Sequence, residues 1–343
     1  MERRAVGLLS GGLDSILAIK MVKGQSVDVI ALNVHLPFVR KSTESPDDAA
    51  KWLGVPLVTV EAGDDYIDVL RRPRFGYGKG FNPCIDCRVY MLGVARRVME
   101  QHDASFVITG DVLLQRPKSQ RPDALRIEDK CSGLDGLILR PLSALLLRPT
   151  VPEREGIVDR SKLLGLSGRS RKTQFDLARY YGLERFSTPA GGCPLTDRQF
   201  GEKARVLLSR VHRVKAEDLG LLKRGRHFYR DSTHFIVGRR QKENRMLIES
   251  CGPEDGYVRI TQYGGPVTLV RGRVDRKTLV QAARLTAAYS DAPSDVPVTV
   301  EYRAPTGSGR ILVEQSTDVG RSPHVTERSR RVSSRSWRCL AQR

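Results

Sequence analysis

A short apolar run at residues 5–9 breaks into Ser10-Gly11-Gly12-Leu13-Asp14-Ser15, and a helical pattern begins at once over residues 14–21. A strand that enters a helix through two glycines brings several backbone N–H groups to one point. That makes a concave nest for an anion, with the positive end of the helix dipole behind it. Gly11 and Gly12 let the main chain approach a phosphate without a clashing Cβ. Ser10 and Ser15 can donate hydroxyls to it, and Asp14 can hold Mg2+ directly or through water. The Walker loop is excluded because no Lys follows the glycines, and the G-x-G-x-x-G dinucleotide turn is absent. The plain alternative is a tight turn whose Ser10 or Asp14 caps the helix.

Strand and helix signals alternate through the first half. "VDVIALNV" at 27–34, "PLVTV" at 56–60 and "SFVIT" at 105–109 read as strands, with helices at 46–53 and 84–101 between them. Strands separated by helix-length segments predict an α/β fold, a parallel sheet with helices on both faces. Ligands of such sheets bind at the carboxyl ends of the strands, where the glycine turn sits. After residue 137 the texture turns helical and basic, with Arg169, Arg171, Lys172 and Arg179. A loop, Pro189-Ala190-Gly191-Gly192-Cys193, precedes a helix at 197–211 with Thr196 or Asp197 as its N-cap. Short strands and helices from about residue 214 predict a small α+β C-terminal domain. The Arg- and Ser-rich end reads as a disordered tail. The expected division is 1–212, 213–304 and 305–343.

The 343 residues carry 58 Lys and Arg against 39 Asp and Glu, a formal net charge of +19. That excess points to a polyanionic partner, nucleic acid or an anionic surface. Only a short apolar stretch follows Met1-Glu2-Arg3-Arg4, too short for a signal sequence, and no apolar run has the length of a membrane span. A cytoplasmic protein with no membrane partner is expected. Six cysteines are too sparse for a disulfide scaffold, so they read as metal ligands, reactive thiols or core filler.

Three segments bear on chemistry. Asn82-Pro83-Cys84-Ile85-Asp86-Cys87 opens a helix, with Asn82 suited to the N-cap and Pro83 to the first helical position. Cys84 then lies in the first turn, where the dipole favours thiolate. Cys193 sits in "PAGGCPLTD" at 189–197, and "TGDVLLQRPKSQ" at 109–120 follows a strand on the ligand edge. His35, His227 and His234 pair with no nucleophile and read as structural or RNA-facing.

On these residues the chain resembles the PP-loop ATP pyrophosphatases, which cleave ATP to AMP and pyrophosphate while adenylating a substrate. Residues 10–15 look like their SGGxDS loop, which implies an adenine nucleotide alpha hydrolase-like fold. The N-P-C-x-x-C segment with a distant cysteine resembles tRNA 2-thiouridylases. The order "TGDVLLQRPKSQ…LRPLS" resembles the synthetase domain of tRNA 4-thiouridine synthetases. "PAGGCPLTD" is similar to a thiolase-like subgroup in which Leu is usual at the position of Pro194. The resemblance implies ATP and Mg2+ as cofactors, held by Ser10, Gly11, Gly12, Asp14, Ser15, Gly110 and Gln115. It implies Cys193, Cys84 and Asp14 as catalytic residues. The implied partners are tRNA and a sulfur donor, whether a cysteine desulfurase, a carrier or free sulfide.

Two schemes fit the thiols. In one, a persulfide on Cys193 attacks an adenylated uridine carbon and Cys84 resolves it as a disulfide. In the other, Cys84, Cys87 and Cys193 hold a [4Fe-4S] cluster with one iron open. Zinc with Cys131 as fourth ligand is a third option. ATP-driven amidation of a small molecule, or an RNA-binding factor without catalysis, would share the same glycine loop.

"GRHF" at 225–228 and "VGRxxxEN" at 237–244 resemble the NFACT-type RNA-binding module of ribosome-quality-control and fibronectin-binding-like proteins. Lys223, Arg224, Arg226, Arg230, Arg239, Arg240, Lys242 and Arg245 interleave there with Phe228, Tyr229 and Phe235. Cations for phosphates and aromatics for bases suit RNA. A β domain with a solvated basic face is the alternative.

Overall fold

The apolar run before the glycine turn becomes the central strand of a parallel sheet. In the computed structural model, which describes residues 3–39, 45–187, 192–294 and 296–314, the chain divides into units of residues 1–224 and 225–343. The first unit runs β1 (Arg4–Leu8), α1 (Leu13–Lys23), β2 (Asp28–His35), α2 (Pro46–Leu53), β3 (Leu57–Glu61), α3 (Asp65–Arg71) and α4 (Cys84–Gln101). It continues with β4 (Phe106–Ile108), α5 (Pro122–Ser132), β5 (Ile138–Leu139), α6 (Val151–Arg154), α7 (Lys172–Tyr180), α8 (Arg198–Arg210) and α9 (Ala216–Leu221).

The strand order is β3-β2-β1-β4-β5, with every pairing parallel. Period-two alternation sends neighbouring residues to opposite faces. Ala5, Phe106, Ile108 and Leu139 join a core with Ile16 and Leu17 of α1. Val6, Leu32, Val107 and Ile138 join a second core with Leu92, Ala95 and Val98 of α4. Helices therefore cover both faces. Each fully buried Leu, Ile or Val contributes about 1.5–3 kcal/mol relative to exposure, so both cores are substantial.

β1 lies between β2, which follows it, and β4, which is reached by a crossover, so the winding reverses there. The crevice of such a sheet opens between the loops leaving those two strands. Those loops touch through Gly110: a Cβ there would lie 2.6 Å from the Asp14 carbonyl carbon and the Ser15 nitrogen. Backbone cannot yield as a flexible side chain can, so only glycine lets the β4 loop close on the first turn of α1. Local signals fix several helix ends. Ser45 and Asp48 form a capping box on α2, and Asp197 caps α8 by accepting from the Phe200 N–H at 2.8 Å.

The second unit comprises β6 (Arg226–Arg230), β7 (Thr233–Val237), α10 (Gln241–Glu249), β8 (Gly256–Ile260), β9 (Val267–Arg271), α11 (Arg276–Ala288), β10 (Val298–Ala304) and β11 (Gly307–Val313). Its strands form an antiparallel sheet of order β11-β10-β8-β9-β7-β6. Leu279, Ala282 and Ala283 of α11 pack on Val258, Val270, Val298 and Val300.

Two expected boundaries move. The helix at 216–221 falls in the first unit, not the second. Residues 307–313, expected to belong to the tail, are β11, whose Ile311 and Val313 fill the core of the second unit. Gly307, Ser308, Gly309 and Arg310 hide that alternation in composition. The rest of the expected tail, 315–343, lies outside the described residues. No helix among the described residues is long and apolar enough to cross a membrane.

Gly110→Ala should push the two loops apart and destabilise the first unit by about 1–3 kcal/mol, the usual cost of overpacking. A lower urea midpoint at unchanged slope is the expected result.

Candidate active site

The glycine loop is knitted by its own hydroxyls. The Ser15 hydroxyl donates to the Gly12 carbonyl at 2.7 Å, and the Ser10 N–H donates to Ser15 Oγ at 3.3 Å. Gly11 has φ +77°, a left-handed value that glycine adopts without strain. No side chain caps α1, so the capping alternative falls away; the Ser15 N–H turns back to the Gly12 carbonyl at 3.1 Å. The Ser187 N–H donates to the Gly11 carbonyl at 3.0 Å and braces the loop from behind. Beside it opens a cleft of about 350 Å3, lined by Gly11, Ile16, Asp48, Trp52, Leu183 and Phe186 among others.

Asp14 lies in the first turn of α1, directly after the glycine loop. Gln115 Nε2 donates to its Oδ2 at 2.8 Å, and Arg171 Nη2 lies 3.1 Å from its Oδ1. Gln174, itself buried, donates to Gln115 Oε1 at 3.2 Å. Asp14, Gly110 and Gln115, separate in sequence, are thus one cluster. Arg171 and Gln174 complete it and carry no motif; the basic texture of 169–179 was their only trace. Mg2+ usually takes one or two carboxylates plus substrate phosphates, and Asp14 beside an anion nest fits that donor set.

The thiols form a second cluster. The α4 helix begins at Cys84, with Pro83 rather than Asn82 at the cap position and no side-chain cap bond. Asn82 instead turns its amide onto the sulfur, Nδ2 to Cys84 Sγ at 3.0 Å. One turn on, Cys87 Sγ lies 2.9 Å from the buried Tyr66 hydroxyl. Cys193 arrives from the other side: the Phe81 N–H donates to the Leu195 carbonyl at 3.1 Å, tying the turn after Cys193 to the residues before Cys84. Pro189, Ala190 and Gly191 lie outside the described residues.

Burial pushes the Cys87 thiol up to about 12, with the Tyr66 bond opposing and the charges of Cys193 and Cys84 adding. Burial also raises Cys193, assisted by Cys84 and opposed by the Leu195 N–H, Arg116 and Lys223. Lys118 is lowered by burial and held back by Cys84, Asp86 and Cys87. The three thiols and the cations Arg116, Lys118 and Lys223 therefore share one electrostatic neighbourhood. The [4Fe-4S] ligand set of the second scheme is not assembled: among the described residues no three His, Cys, Asp or Glu side chains could hold a metal ion. Cys84 and Cys87 are instead turned toward Asn82 and Tyr66, and the Cys131 thiol of the zinc option is exposed on α5. The present donor set does not fit a cluster.

Residues 109–120 join the two clusters. Asp111, buried, accepts from Thr109 Oγ1 at 2.8 Å, from Gln120 Nε2 at 2.9 Å and from Arg88 of α4. Arg140 lies 3.8 Å away and also binds Asp129 at 2.6 Å. Burial alone would raise the Asp111 carboxyl, yet Arg88, Arg140 and the two hydrogen bonds hold it at about 2. The intervening loop sends Gln115 to Asp14, and Lys118 Nζ donates to the Gly76 carbonyl at 2.7 Å. That carbonyl belongs to a segment fixed by Asp86, which accepts from the Arg74 N–H at 2.7 Å and the Phe75 N–H at 3.1 Å. Arg116 and Lys118 were not picked out in the sequence, although both lie inside a motif that was.

In the second unit, two of the three aromatics expected to meet RNA bases are inside, and the third is half-buried. Phe228 and Phe235 belong to its core, and Tyr229 stacks on the buried His234 with ring centroids 4.5 Å apart. Strand alternation turns Phe228 and Phe235 toward the core and Tyr229 to the opposite face, whereas many of the nearby cations belong to turns and to α10.

Residues 1–165 match the family model described as thiamine biosynthesis protein (ThiI), and residues 225–319 match that of the NFACT protein RNA binding domain. No curated protein matches the chain. Among solved structures it is similar to a predicted subunit of tRNA methyltransferase from Methanocaldococcus jannaschii DSM, at 13% identity and TM-score 0.34, over 51% of this chain and 75% of that one. It is also similar to the C-terminal part of the fibronectin/fibrinogen-binding protein from Streptococcus suis, at 15% identity and TM-score 0.24, over 68% and 87%. Neither score is high enough to bear on function.

Two outcomes follow from the burial of these groups. Burial pushes Glu128, which lies 3.6 Å from Arg88, up to about 8 from 4.5. Between those values the folded state binds more protons than the unfolded chain, so this group's contribution to stability falls as pH rises. Glu128→Gln should remove that fall, and the variant's stability relative to the parent should rise from pH 5 to pH 9 in urea titrations. In alkylation at pH 8 followed by mass spectrometry, exposed Cys131 should react while Cys87 is spared.

Proposed function

Taking residues 1–165 as a ThiI-family domain and residues 225–319 as an NFACT-type RNA-binding domain, we propose that the protein is an ATP-dependent tRNA uridine thiolase. The family supports tRNA thiolation in general; 4-thiouridine is the product we infer, from the "TGDVLLQRPKSQ…LRPLS" order. The observation that carries the reading is the spacing within one loop. Gln115 bonds Asp14 beside the glycine loop, and Lys118, three residues on, bonds the segment leading to Cys84. Three residues span at most about 11 Å, so one short loop serves both half-sites.

The glycine loop and the α1 terminus would receive the phosphates of ATP, with Asp14 holding Mg2+. A uridine carbonyl oxygen attacks the α-phosphorus and pyrophosphate leaves. A persulfide-bearing donor, a cysteine desulfurase or carrier, passes its outer sulfur to the Cys193 thiolate; the donor's S–S bond breaks and its own thiolate leaves. Its terminal sulfur attacks the activated carbon, and AMP departs with the carbonyl oxygen. Cys84 then attacks Cys193 Sγ; a disulfide forms between them, the persulfide S–S bond breaks and the sulfur stays on the base. An external dithiol reduces the pair. Arg116 opposes the rise that burial imposes on the Cys193 thiol.

Purified protein with tRNA, ATP, Mg2+, a cysteine desulfurase supplied with cysteine, and a dithiol should yield thiouridine, detected by mass spectrometry of digested nucleosides. Cys193→Ala should abolish it, and Asp14→Asn should suppress pyrophosphate release as well. Thiolation unchanged in Cys193→Ala overturns the mechanism. Metabolite-dependent pyrophosphate release without RNA would favour the amidation alternative. About four irons per chain after anaerobic purification would return the thiols to the cluster scheme.

A further inference from the structure

The open face of the second unit carries two ordered rows of side chains. Val258, Val298, Val300, Ile311 and Val313 point to the α11 core. By strand alternation Tyr257, Arg259, Glu301, Arg303, Ser308 and Arg310 share the opposite face. The register aligns them: Arg259 and Arg310 both pair with Glu301, while Tyr257 and Ser308 both pair with Arg303. One row is cation, anion, cation; the next is aromatic, cation, hydroxyl. Together they line a groove of about 340 Å3, near the lower end of small-ligand sites.

The charges in this groove are not balanced internally. Glu301 lies 3.2 Å from Arg259 and 3.3 Å from Arg310, yet those two side chains remain 49% and 74% exposed. Their guanidinium groups keep donors free for a second anion. Arg303 is exposed and forms no ion pair among the described residues. Three arginines thus face one carboxylate, which suits a phosphodiester, and Tyr257 beside Arg303 supplies an aromatic face. A cation next to a stacking surface is the mixture that holds unpaired nucleotides.

We propose that this groove seats an unpaired stretch of the tRNA substrate, with a phosphate on Arg303 and a base against Tyr257. The proposal rests on the RNA-binding reading of the second unit and names the surface that performs it. It replaces the buried Phe228 and Phe235 by residues that face solvent.

The test titrates fluorescently labelled, unmodified tRNA with the full-length protein at several KCl concentrations. For Arg303→Gln the expected result is weaker binding, with the slope of log affinity against log salt reduced by about 0.7, the value for one single-strand phosphate contact. Tyr257→Ala should weaken binding about tenfold with little change of slope, as loss of a stacked base does. Ser308→Asp, an exposed hairpin substitution, should weaken binding by adding an anion, which keeps the test valid if Tyr257→Ala misfolds. Lys277→Gln on α11 should leave binding as it was. If the parent binds tRNA and the groove variants bind equally well at unchanged slope, the groove assignment is wrong while RNA binding stands. If the parent shows no salt-dependent tRNA binding, the RNA-binding reading fails and the groove with it.

Discussion

The site depends on one buried carboxylate. Asp111 gathers Thr109, Gln120, Arg88 and Arg140 around a single charge. Because Thr109 and Gln120 sit at the two ends of one loop, bonding both closes it, and the residues between have no choice but to project. Arg88 comes from the helix that begins at Cys84, so the same carboxylate fixes the thiol helix against the strand that leads to Gly110. An unpaired charge at this depth would cost several kcal/mol. Two arginines and two hydrogen bonds offset that cost, which is why the carboxyl stays ionised although burial opposes it.

Much of the framework was legible because it rests on local rules. The apolar strand runs at 5–9 and 105–109, the capping residue Asp197, and the 84–101 helix follow from strand and helix signals and cap chemistry. The glycine turn was legible as a break between strand and helix that gives Gly11 its left-handed conformation. Arg171 and Gln174 were not, since their meeting with Asp14 and Gln115 arises from the packing of α7 against α1, which no short spacing encodes. Asn82 misled for a related reason. As an N-cap candidate it satisfied a local rule, but the proline after it took the cap position and freed the amide for a sulfur.

The second unit reversed the usual assignment of roles. Its aromatic residues nearest the basic cluster are the ones that build the core, because β6 and β7 turn Phe228 and Phe235 toward α11. The outward face belongs to strands whose sequence, read linearly, is a scatter of Tyr, Arg and Glu among valines. β11 was missed outright for the same reason: glycine and arginine dominate its composition, and only Ile311 and Val313 mark its inner side.

The hairpin of β10 and β11 carries an implication for how this surface can change. Glu301 and Arg303 alternate with Val300 and Ala304, so a one-residue insertion before them would move both charges into the core and two apolar side chains into water. Slippage is therefore opposed by the same residues that line the groove. The chain can retune this face by exchanging one side chain for another, but lengthening or shortening a strand would dismantle the hairpin before it altered what the hairpin presents. Its variants should differ in letters and keep their length.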